Sequence, residues 1–166
     1  MLRLSLLFAL LPLAAGAADL MEYLKKYEGR WVGDFSIHST ATGYTEIFLV
    51  EQRFWLEDGV LRGISVSETD RGIETARSRT FVREGSFYSE VTRAERVETF
   101  IGALHDGGIV WLSSDLARSE DYQMKEFFVE IDGVPHLHTN GFDSYVFQGG
   151  LAHLVYRGRL RFAPAE

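Results

Sequence analysis

The spacing of hydrophobic and polar positions changes once along this chain, at Gly29. Before it, Leu20, Tyr23, Leu24 and Tyr27 recur three and four residues apart, which lines them up on one stripe of a helix. Asp19, with Glu22 three residues on, predicts a capping box, and Gly29 predicts the end of the helix. A helix of about two turns is not stable alone, so the stripe over Leu20–Tyr27 must lie against another element.

From Trp31 the period becomes two. Trp31, Phe35 and Ile37 fall on one face, and Asp34, Ser36 and His38 on the other, as in a half-buried strand. Turn signals then punctuate the chain at Ala41-Thr-Gly43, Glu57-Asp-Gly59, Thr69 to Gly72, Glu84-Gly85, Asp106-Gly-Gly108, Asp132-Gly133 and Gln148-Gly-Gly150, with softer breaks near Ala94 and over Asp115 to Asp121. The segments between them predict about ten strands.

Connections this short leave no room for crossover helices, so neighbouring strands are expected to be antiparallel and in up-and-down order. A sheet of this width curls, and closure removes its exposed edges. The prediction is an all-β, single antiparallel barrel with a short N-terminal helix closing one end. A sandwich or jelly roll is the structural alternative, and it requires longer connections between sheets.

Residues 1–17 read as a signal peptide, with Arg3 in the basic region, an apolar run from Leu4 to Leu13, and Ala15-Gly16-Ala17 at the cleavage point. Residues 18–166 are then the barrel domain, periplasmic or secreted, with no membrane span after removal of the signal. An exported chain without cysteine must draw its stability from burial alone. The formal net charge of −7 argues against nucleic acid or an anionic membrane as partner, because both reward a basic face.

Gly29-x-Trp31 behind a short helix, the antiparallel meander and an arginine-bearing last strand over Leu151 to Phe162 resemble the calycins: lipocalins, fatty-acid-binding proteins and nitrobindin-like barrels. The resemblance implies that Trp31 packs under an arginine from the barrel end, Arg159 or Arg161, in a cation–π contact that closes the bottom. It also implies a small hydrophobic or amphipathic molecule held inside. The number of strands fits the fatty-acid-binding and nitrobindin-like branches better than the eight-stranded lipocalins.

The chain holds 12 Phe, 7 Tyr and 3 Trp, enough to fill a barrel or to line a cavity in it. Phe35, Trp55, Phe81 and Trp111 are the candidate aromatic contacts for a ligand. Arg77 and Arg79 share a face with Phe81; turned inward they form a clamp for an anionic head group, and turned outward they pair with Glu90 or Glu74. His136 and His138 have strand spacing for chelation but lack a converging third ligand, and His153 resembles the iron ligand of haem barrels while sharing its face with arginines. No cofactor or metal follows from these.

Among enzyme signatures, neither a nucleophile elbow, nor a phosphate-cradling loop, nor a zinc-binding His-Glu-x-x-His is present. Asp143 beside Tyr145 and Glu126 beside Glu130 are the acids with catalytic potential. The expectation is therefore an exported binding protein for an apolar or amphipathic small molecule, anionic lipid-like molecules included. The alternatives are an envelope interaction or structural barrel with a filled core, and a barrel enzyme or haem-binding barrel. The sequence leaves the oligomeric state open.

Overall fold

The computed structural model describes residues 16–164. One helix, α1 (Ala17–Lys25), precedes ten strands: β1 (Gly29–Ser39), β2 (Thr45–Glu57), β3 (Val60–Thr69), β4 (Gly72–Arg83), β5 (Ser86–Arg93), β6 (Arg96–His105), β7 (Gly108–Ser113), β8 (Tyr122–Ile131), β9 (Val134–Phe147) and β10 (Gly150–Ala163). Every strand pairs antiparallel with its sequence neighbour, and β1 pairs with β10 to close the barrel. The predicted fold class stands. Most of the predicted signal segment lies outside the described residues. No described helix is long and apolar enough to cross a membrane.

Tight turns fix the register. Asp58 and Gly59, between β2 and β3, both have positive φ (51° and 76°), the combination a type I′ hairpin requires and that Asp-Gly supplies at least cost. The same pair of positive angles recurs at Glu84-Gly85, Asp106-Gly107, Asp132-Gly133 and Gln148-Gly149. With turns this short, each strand's alternation decides which side chains face in.

In β1 the inward set is Trp31, Gly33, Phe35 and Ile37, and the register carries it to Val50, Phe48 and Gln52 on β2 and to Phe162, Leu160 and Tyr156 on β10. Large rings fit because glycines lie beside them. A Cβ on Gly102 would come within 2.6 Å of the Trp111 ring, and one on Gly158 within 3.0 Å of the Phe35 ring.

The helix starts earlier than its pattern predicts. Gly16 is the N-cap and Asp19 lies in the first turn, where its carboxylate accepts the Gly16 N–H (3.2 Å) and complements the helix dipole. Good helix formers at Ala17 and Ala18 extend the helix back to that point. The helix plugs one barrel end. Leu20, Leu24 and Tyr27 are buried, Tyr23 donates to the Gly107 carbonyl in the β6–β7 turn (3.0 Å), and the Tyr27 ring meets Phe54 and Phe128 edge-on.

Trp31 lies directly on this plug, 1% exposed, with its indole N–H donating to the Tyr27 carbonyl at 2.7 Å. The expected arginine beneath it is replaced by rings: Phe162 at 5.2 Å and Phe128 at 5.6 Å between centroids. Arg159 and Arg161 alternate with the inward Leu160 and Phe162, so the pleat turns them outward, and Arg159 binds the Thr139 carbonyl and Asn140. The closed end is thus held by aromatic packing.

Candidate functional site

Beyond the plug the barrel is hollow, with a cavity of about 590 Å³ running from the α1 end to a rim that includes the exposed Arg71, Glu74, Arg93 and Arg96. That volume lies within the range of small-molecule sites. Its two walls differ in chemistry. The β1–β2 side presents Phe35, Ile37, Phe48, Val50 and Phe54, and the β3–β5 side presents Ser65, Ser67, Thr69, Ala76, Ser78, Thr80 and Ser89. The small side chains of the second wall leave the space, and the large ones of the first make it apolar.

The hydroxyl wall reverses the usual strand pattern. On β3 the apolar Ile64 and Val66 point outward, 40% and 38% exposed, while Ser65 and Ser67 face the cavity. On β4 the inward residues are Ala76, Ser78 and Thr80, with Thr80 donating to Ser89 across the β4–β5 pair at 3.0 Å. A cross-strand pair of hydroxyls satisfies itself and still offers oxygen lone pairs to the cavity.

The floor carries a carboxylate. Glu126, on β8 between the inward Met124 and Phe128, accepts the indole N–H of Trp111 (2.9 Å) and the phenol of Tyr27 (3.2 Å), both on Oε2. Burial lifts its carboxyl above the usual carboxylate range, with the two hydrogen bonds opposing the lift. Burial, with the Glu126 charge second, raises Tyr27 as well, and Tyr23 is pushed up to about 12, mainly by burial. Among the described residues Glu126 has no ion-pair partner. On the β2 wall, Gln52 Oε1 is shielded and bonded to nothing.

The open end is charged. A single Arg118 nitrogen binds both oxygens of Asp143 at 2.7 Å, and Arg96 pairs with Glu98 at 3.2 Å. Arg93, at the end of β5, acts on the buried phenols of Tyr122 and Tyr156, lowering them against the stronger upward push of burial, which leaves Tyr156 at about 12. No acidic group pairs with Arg93 among the described residues.

The candidate residues separate accordingly. Phe35 and Trp111 face the cavity, Trp111 being 7% exposed. Trp55 alternates with the inward Phe54 and Leu56 and is 37% exposed. Arg79 and Phe81 point outward, where Arg79 lies over the Phe81 ring and pairs with Glu90 at 3.5 Å. Arg77 borders the cavity, yet it alternates with Ala76 and Ser78, and its cross-strand neighbours Ile64 and Thr92 belong to the outer face. Of the two orientations open to Arg77 and Arg79, the outward stripe with Glu90 is the one found, and the arginines at the cavity rim include Arg93, Arg96 and Arg118.

The histidines are also outward. His136 and His138 stack edge to face on β9, and His153 rests on Phe142 with its Nδ1 at 3.0 Å from Ser144 Oγ. No group of three metal-ligating side chains occurs among the described residues. The glutamate Glu130, on the same face as Glu126, is exposed beyond the plugged end, so the two acids do not act as a pair.

Fold and site together define a closed, helix-plugged, ten-stranded antiparallel barrel with an internal cavity. No family model, curated protein or solved structure matches the chain.

Proposed function

We propose that this protein binds one small amphipathic molecule inside a calycin-like barrel and carries it in the periplasm or outside the cell. The observation that carries this reading is the cavity of about 590 Å³ between an aromatic wall and a hydroxyl wall. A filled barrel has no use for serine, threonine and alanine at consecutive inward positions on β3 and β4, because such positions forfeit packing contacts. A ligand that covers the aromatic wall contributes roughly 25 cal/mol per Å² of apolar surface buried, and the hydroxyls orient it.

The charged rim supports a ligand with a polar end directed outward, since Arg93 is free to meet an anionic group there. Native mass spectrometry of protein purified from its own host, followed by organic extraction, tests the reading. A single co-purifying molecule per chain, released by solvent, is expected. A bare polypeptide mass together with failure to take up any apolar probe would overturn it.

A further inference from the structure

The cavity floor presents acceptors without donors. Glu126 Oε2 takes both protein hydrogen bonds, from Trp111 and Tyr27, whereas Oε1 receives none and Glu126 lines the cavity. On the β2 wall Gln52 Oε1 is shielded from solvent and unbonded. Tyr27 joins the two sides, with its hydroxyl on Glu126 and its ring edge against Phe54, two positions along β2 from Gln52.

Such acceptors are expensive to maintain. A carboxylate in a water-poor cavity with no counter-ion is unfavourable, and an acceptor shielded from water without a donor adds to that. The groups packed around Glu126 are Tyr23 of α1, Tyr27 of the α1–β1 turn, Trp111 of β7, Tyr122 of its own strand and Thr139 of β9, and none of them is a cation. A ligand ammonium supplies both the missing charge and three donors. Its hydrocarbon body would lie along Phe35, Phe48, Phe54 and Trp111.

We propose that Glu126 is the receptor for the amino head of an apolar amine, seated at the plugged end of the barrel. This inference rests on the small-molecule reading above and specifies which end of the ligand enters first. The arginines at the rim and the carboxylate at the floor give the cavity a polarity that an acid-first ligand would meet reversed.

The test uses the mature protein, Nile red as a neutral apolar reporter, and octylamine, octanol and octanoic acid as competitors of equal chain length. Octylamine is expected to displace the dye at about tenfold lower concentration than octanoic acid, with octanol between them, as befits a charge-assisted hydrogen bond. Glu126→Gln should erase that preference while still taking up Nile red. Equal displacement by the three competitors, or an amine preference that survives Glu126→Gln, overturns the amine receptor and leaves the binding reading intact. Failure of Nile red to enter the wild-type protein overturns both.

Discussion

Glu126 illustrates how a single inward side chain departs from its neighbours. Burial raises its carboxyl, so over a window of pH the folded protein holds a proton that the unfolded chain has released. The stability tied to that proton is complete below the ordinary carboxylate value of about 4.3 and is lost as pH rises through the raised value. Glu126→Gln keeps a carbonyl for Trp111 and Tyr27 and removes the titration. Thermal unfolding of the two proteins at acidic and neutral pH is the check. The variant should match the wild type in acid and exceed it by a few degrees at neutral pH, and a variant less stable at neutral pH would contradict the account. Trp31 is a second such residue. Trp31→Phe removes the indole bond to the Tyr27 carbonyl and leaves a buried acceptor, so chemical denaturation should report a loss of about 1–3 kcal/mol.

At the scale of elements, the plug and the glycine-for-ring exchanges hold the interior in shape. Leu24 has no exposed surface, and Leu24→Ala should cost about 2–5 kcal/mol by the usual rule for a buried leucine, detected as a lower denaturation midpoint. Gly102→Val adds an isopropyl group whose Cβ alone would come within 2.6 Å of the Trp111 ring, so it should destabilise by about 1–3 kcal/mol and shift the tryptophan fluorescence. Most elements were legible from the chain, because period-two alternation and Asp-Gly turns are local signals. The β4 orientation was left open between two faces, of which the outward pairing of Arg79 with Glu90 is the one found. There the inward residues Ala76, Ser78 and Thr80 are small and polar while Phe81 is outward, so a rule that turns rings inward selects the wrong face. Glu126 carried a usable signal, as a lone carboxylate in the inward register Tyr122, Met124, Glu126, Phe128. The unbonded state of Gln52, and the pairing of Trp31 with Phe162 in place of an arginine, depend on barrel stagger, which no local pattern encodes.

The whole molecule is a barrel with one end sealed by rings and helix and the other bounded by charge, and its hollow centre follows from the small residues of β3 to β5. Closure from β1 to β10 leaves no free edge, and burial is supplied by the core that includes Leu20, Leu24, Trp31, Phe87 and Ile109, so the centre can stay open. A bulky residue on the hydroxyl wall should therefore occupy the space without unfolding the chain. Nile red fluorescence with the wild-type protein and Ala76→Trp measures this most directly. The account predicts blue-shifted emission saturating at one dye per wild-type chain, and its loss in a folded Ala76→Trp protein. No blue shift with the wild type, or equal binding by both proteins, would contradict the hollow, ligand-accepting interior.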